Sequence, residues 1–228
     1  MATSRDKILN KLRAARAPFP DAPPRPKAYR PVTRLDDESP EALLERFTEE
    51  LVRLNGEVFP VKGQAAARKK VLELLAAREA QSVLAWDFAH IPVEGLEAAL
   101  QKAGISVLVP DLSDDRAGRL QEYEPVPVGL TGADGAIAAT GSLVVSVAPG
   151  KGRIPTVLPR LHLAVITLDQ IVPRLEDWVA QQRAAQFDSI RQSSNLAFIT
   201  GPSRTADIEK NLVLGMHGPE QVQVIVRR

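Results

Sequence analysis

Residues 57–109, EVFPVKGQAAARKKVLELLAAREAQSVLAWDFAHIPVEGLEAALQKAGISVLV, decide the fold class. Glu57 to Val61 is a short strand candidate. Gln64 to Arg78 follows as a helix with Val71, Leu72 and Leu75 at helical spacing, and Ser82 to Trp86 reads as a strand. Glu94 to Ala103 reads as a helix that Gly104 stops, and Ile105 to Val109 is a strand, apolar but for Ser106. Strand and helix alternate, and the strands are continuously apolar rather than apolar on one side only. That pattern belongs to strands buried on both faces, so a three-layer α/β/α fold with a largely parallel central sheet is expected. Ligands of such sheets tend to bind at the carboxyl ends of strands, which makes the turns carrying Asp87, His90, Asp111 and Asp114 worth following, although each is more often a cap or turn former than a site residue.

Upstream, the spacing predicts a helix from Ser39 to Gly56: Ser39 as N-cap, Pro40 at the first helical position, Glu41 in the first turn, and Leu43, Leu44, Phe47, Leu51 and Leu54 inward. Before it, six of the 18 prolines fall between Pro18 and Pro31, which forbids a helix interior. The first residues form a basic amphipathic helix, with Ile8, Leu9, Leu12 and Ala15 on one side and Arg5, Lys7, Lys11, Arg13 and Arg16 around it. Residues 1–35 are therefore read as a basic helix and Pro-rich arm, and residues 36–228 as a single α/β domain. The arm is a candidate for joining copies into a homo-oligomer.

Bulk properties exclude several functions. Twenty-nine basic against 28 acidic residues leave a net charge of +1, which demands no nucleic acid. Zero cysteines exclude disulfides, thiolate catalysis and a Cys-ligated cluster or zinc held by this chain. His90, His162 and His217 lie far apart without neighbouring ligands, so no metal site is predicted. No apolar run reaches the roughly 20 residues of a membrane span, and no apolar signal core opens the chain. A cytoplasmic protein is expected.

Two further stretches carry chemistry. In Val126 to Arg160 a strand runs into Thr131, a Gly-rich turn passes through Asp134, and a strand follows from Ser142 to Val147. Pro149 to Arg153 is then a basic loop matching neither the P-loop nor the dinucleotide fingerprint. Thr131, Thr140, Gly141, Ser142, Lys151 and Arg153 supply hydroxyls, close backbone approach and cations suited to a carboxylate or phosphate. The alternative is a solvated loop beside a tight turn. In Gly201 to Val226 the reading is turn, short helix, Gly-Pro turn, strand, with Ser203 or Thr205 capping the helix, Ile208, Leu212 and Met216 on its buried face, and Gly215 ending it. Gly201, Ser203, Arg204 and Thr205 at that helix start suit an anion, unless Asp207 and Glu209 already satisfy it. Asp134, Asp207, Glu209 and His217 are the acid–base candidates. Should the two stretches meet at one end of the sheet, Ser203, Arg204 and Thr205 would face Thr140, Lys151 and Arg153 across a pocket. Finally, Asp169 to Gln186 is expected to be one long helix capped by Asp169, with Ile171, Val172, Leu175, Trp178 and Val179 inward.

The combination GLTGADGAIAATGSLVV, Arg153, LPRLHLAVI and GPSRTADIEKNLVLGMHGP resembles the lactate-utilisation protein C family, built on the LUD domain. The resemblance spans roughly Glu57 to the C-terminus. It implies a fold related to the ribose-phosphate isomerase, glucosamine-phosphate deaminase and CoA transferase group. It also implies a part in oxidising L-lactate to pyruvate beside iron–sulfur partner proteins, which would carry the clusters that a cysteine-free chain cannot. An accessory or small-anion-binding subunit fits; a free-standing isomerase or CoA transferase, or a regulatory or scaffold module, are the other readings. In one departure, Ala139 stands where members commonly have Glu before Thr-Gly, which removes a candidate carboxylate nucleophile.

Overall fold

A computed structural model describes residues 3–15, 33–111, 115–206 and 212–228. The chain divides into two units, residues 1–32 and 33–228. In the first, helix α1 (Ser4–Ala14) opens with a capping box in which Thr3 and Asp6 each accept a backbone N–H from the other. It buries none of its own residues, and Ile8 and Leu12 are exposed. The Pro-rich stretch from Pro18 to Pro31 lies outside the described residues.

The second unit begins with α2 (Pro40–Arg53), capped by Ser39, whose Oγ accepts the Ala42 N–H at 3.4 Å. Phe47 and Leu51 of this helix are fully buried, which is the tertiary return on the apolar stripe read in the sequence. Ser39→Ala should lower stability by about 1 kcal/mol, a loss of roughly 2–4 °C in a thermal melt. The elements that follow are β1 (Glu57–Val61), α3 (Gly63–Ala76), β2 (Ser82–Ala85), α4 (Leu96–Lys102), β3 (Ser106–Leu108), α5 (Arg116–Tyr123), β4 (Val128–Thr131), β5 (Gly135–Ile137), β6 (Ser142–Ser146), α6 (Ile154–Val157), β7 (Leu161–Thr167) and β8 (Ile171–Val172). The chain closes with α7 (Leu175–Ala184), α8 (Asp188–Gln192), β9 (Leu196–Ile199), β10 (Arg204–Ala206), β11 (Leu212–Leu214) and β12 (Gln221–Arg227).

Six strands form the central sheet in the order β1-β12-β7-β4-β2-β3, all parallel. Every residue of β4 and β7 is buried, as strands covered by helices on both faces require. The α/β/α architecture thus follows the alternation. A second, mixed sheet, β8-β5-β6-β9, is an addition to it.

Two expected helices differ. The helix from Asp169 instead begins at Leu175: Leu168 to Gln170 form a 3-10 turn and Ile171–Val172 pair in parallel with Ala136–Ile137. Pro173 explains this, because it lacks an N–H and disfavours helix at the residue before it. Asp169 caps no α-helix, and Leu175 is exposed while Trp178 is buried. The helix expected from Ser203 to Gly215 is replaced by a hairpin in which Arg204, Thr205 and Ala206 pair with Leu214, Val213 and Leu212. Ser203 and Thr205 therefore do not cap a helix. The hairpin base is fastened by Ser203 N–H to the Pro219 carbonyl at 2.9 Å and Gly215 N–H to the Ser203 carbonyl at 3.0 Å, long-range bonds that local helical spacing could not compete with. Asp207, Ile208 and Glu209 lie outside the described residues.

Candidate functional site

From β2 the chain crosses through α4 to β3 on one side of the sheet, whereas from β4 it proceeds to β7 on the other. Since β2 and β4 are neighbours, their carboxyl ends flank the point where the winding reverses, the usual place for a ligand crevice in a doubly wound sheet. Trp86 follows β2 there, its backbone N–H bonded to the Leu130 carbonyl at 3.0 Å, and Thr131 ends β4.

The excursion through β5 and β6 returns a loop over this point. Asp134 opens it, tied to β6 by its N–H to the Val144 carbonyl at 2.8 Å. After β6, Ala148 and Lys151 bridge and turn the chain back. Asp87 N–H donates to the Gly150 carbonyl at 2.8 Å, and the Trp86 indole Nε1–H donates to the Gly152 carbonyl at 2.8 Å. Lys151 then points inward: its side chain is only 9% exposed, its Nζ pairs with Asp134 Oδ1 and donates to Ser146 Oγ at 3.1 Å, and it lies 5.0 Å from the centroid of the Trp86 ring. Asp134 Oδ2 accepts the Ser146 backbone N–H at 2.6 Å. A lysine buried this far needs these partners, because an unpaired ammonium in such surroundings is costly. The basic loop expected from Pro149 to Arg153 is therefore a folded clasp, with Lys151 inside and Arg153 exposed. Trp86→Phe removes one bond to the clasp and weakens the cation–π contact. It should cost about 1–2 kcal/mol in urea denaturation and speed tryptic cleavage after Lys151 or Arg153.

Beneath the clasp, Thr131 Oγ1 donates to the Gly132 carbonyl at 2.8 Å and lies 2.8 Å from His162 Nε2 on β7. With the threonine proton committed, Nε2 is the donor of that pair and Nδ1 carries the lone pair, which has no partner. His162 is fully buried, and burial lowers its pKa to about 4, so it is neutral at pH 7.

Other anticipated residues sit elsewhere. Gly141, at φ +61°, turns the chain after Thr140 against α2: a Cβ there would lie 2.5 Å from the Leu51 nitrogen. The hydroxyls of Thr140 and Ser142 are 2.7 Å apart, and Ser142 Oγ is 2.8 Å from Thr200 Oγ1, so this end of β6 meets the Thr200–Gly201 turn. Arg204 bonds to the Leu54 carbonyl, just before β1, and Ser203 bonds to Pro219, just before β12. Gly201, Ser203, Arg204, Thr205 and the exposed His217 therefore belong to the amino-terminal end of the central sheet. Thr131, Asp134 and Lys151 belong to its carboxyl end. Ser142 and Ser146 stand at opposite ends of the five-residue β6, about 13 Å apart by strand rise. Thr140 and Ser142 thus approach the Gly201 turn, whereas Lys151 and Arg153 do not, and the single pocket facing Arg204 is not formed.

A cavity of about 490 Å³ opens nearby between Phe88, Ala89, residues 91–98, Gln64 and Arg227, but Thr131, Asp134 and Lys151 do not line it. Among the described residues no group of three or more His, Asp or Glu is placed to hold a metal, and no helix is long and apolar enough to cross a membrane. Sequence reasoning missed Trp86 and His162. A lone histidine inside the apolar run LHLAVIT was the available signal, since a buried polar group requires a partner.

Comparison with known proteins agrees with this architecture. The DUF162 family protein of Deinococcus radiodurans, a crystal structure, superposes with a TM-score of 0.60 at 23% identity over 83% of this chain and 99% of that one. The lactate utilization protein C of Halalkalibacterium halodurans is 30% identical over 196 residues, 84% of this chain and 82% of the relative. That of Geobacillus sp. strain WCH70 is 32% identical over 197 residues, 82% and 79% of the two chains. The LUD domain model matches residues 44–226, starting within α2 rather than at Glu57. The chain belongs to the LUD domain family.

Proposed function

We propose that this chain is a component of an L-lactate utilisation system, taking part in the oxidation of L-lactate to pyruvate as a subunit that carries no cluster and works beside iron–sulfur partner proteins. The observation that carries the reading is the likeness, at 30–32% identity over about four-fifths of the chain, to relatives that bear the name lactate utilization protein C. The absence of cysteine supports the division of labour, because a cluster needs thiolate ligands that this chain lacks. In this reading the carboxyl end of the sheet, with Thr131, Asp134, Ser146 and Lys151, takes a small organic anion.

Anaerobic purification of the tagged chain from lactate-grown cells tests the partnership. Iron–sulfur proteins are expected to accompany it in stoichiometric amounts. Recovery of the chain alone, under cross-linking as well as without it, contradicts the subunit role. A thermal-shift panel of hydroxy acids, sugar phosphates and acyl-CoA thioesters separates this role from that of a free-standing isomerase or transferase. Stabilisation by hydroxy or oxo acids is expected, and stabilisation confined to phosphates or thioesters favours the enzyme reading.

A further inference from the structure

We propose that Lys151 Nζ and the Ser146 backbone N–H form a carboxylate seat that Asp134 holds as an internal stand-in, and that a small 2-hydroxy or 2-oxo carboxylate competes with Asp134 for it. This inference rests on the reading that the chain handles a small organic anion, and it identifies the seat and what guards it.

The geometry is that of a bound carboxylate. One oxygen of Asp134 meets an ammonium and the other a backbone N–H at 2.6 Å, so both oxygens are taken up by donors fixed on the clasp and on β6. The donors are buried and the acceptor is not. Lys151 is 9% exposed in its side chain, whereas Asp134 is 27% exposed. Asp134 therefore stands on the solvent side and can rotate into water, while its backbone stays tied to Val144. Lys151 cannot leave as easily, held by Ser146 Oγ and facing the Trp86 ring. A vacated seat would keep its ammonium and N–H in place, screened from water by an indole face.

Ser146 adds selectivity. Its Oγ accepts from Lys151, and among the described residues its own proton has no acceptor. That O–H lies next to the seat, where the oxygen on the second carbon of a hydroxy or oxo acid would arrive. Acetate has no such oxygen.

Because Asp134 occupies the seat most of the time, apparent affinity for an external carboxylate is reduced by the fraction of time that the seat is closed. Removing the competitor raises affinity, and removing Lys151 abolishes binding. Trp86 is the reporter, since Trp178, the second tryptophan, is buried in a separate cluster with Ile137, Val144 and Val172. The full-length protein, D134N and K151M are titrated with L-lactate, pyruvate and acetate, with chloride at matched ionic strength as the control. The expected result is a saturable change in Trp86 emission, tightened about tenfold or more in D134N, absent in K151M, and weaker for acetate than for the other two. D134S serves in place of D134N should the amide variant fail to fold, circular dichroism deciding which is used. A D134N or D134S protein that binds no tighter than the wild type, or a K151M response equal to the wild type, overturns the proposal. An unresponsive Trp86 in a strain that still requires the chain for growth on lactate overturns the seat alone. A Lys151-dependent response in a protein dispensable for growth on lactate supports the seat and overturns the lactate reading.

Discussion

Gly129→Ala is expected to destabilise the domain by about 3 kcal/mol or more, lowering the melting temperature by roughly 6–12 °C, although it adds a single methyl group. Gly129 lies in β4, in register with Leu84 of β2 and His162 of β7, with α6 folded directly onto it. A Cβ at this position would stand 1.7 Å from the Pro155 carbonyl oxygen and 2.7 Å from its carbon. Both atoms are backbone, so no rotamer change relieves the overlap. α6 would have to lift, and with it the chain that joins the clasp to β7. Thermal or urea denaturation reads the effect directly. A melting temperature within a degree of the wild type would show that α6 does not pack on β4 as described.

The second large effect is acid sensitivity through His162. Burial holds its pKa at about 4, against an ordinary value of 6.5. In the unfolded chain the ring takes up a proton below 6.5, whereas in the folded chain it stays neutral down to about 4. The unfolded state therefore binds more protons in this window, and stability falls as pH drops through it. Above pH 6.5 the contribution is complete; below 4 the loss is fully incurred and amounts to on the order of 3 kcal/mol. His162→Gln keeps an N–H for Thr131 and has nothing to titrate. Urea denaturation from pH 4 to 8 should show the wild type losing stability more steeply than the variant by up to one proton. Parallel profiles would mean that His162 is not neutral and buried.

These residues also mark where the sequence was readable. The central sheet was legible because β1, β2 and β3 are short runs made mostly of apolar residues, separated by amphipathic stretches, the second of which ends at Gly104. Such signals are local. The helix over 175–184 was over-extended by one unread punctuation mark, Pro173. The hairpin at Arg204–Leu214 was misread because Leu212 and Met216 fit a helical stripe, and the bonds that decide otherwise reach from Ser203 to Pro219. At the site, Thr131, Asp134 and Lys151 were each recognisable as chemistry-bearing, but their grouping was not. Lys151 meets Asp134 across 17 positions, Trp86 across 65 and, through the fold of β6, Ser146 across five. No periodicity encodes those encounters. The expected union of Lys151 with Arg204 failed for the same reason: β6 is a straight strand that carries its two ends to opposite ends of the central sheet.

A growth measurement tests the proposed function most directly. In the organism that encodes this chain, and in a background without a paralogue, deleting the gene should abolish growth on L-lactate and leave growth on pyruvate unchanged, with wild-type growth restored by the intact gene. Normal growth of the deletion strain on L-lactate would contradict the proposed function.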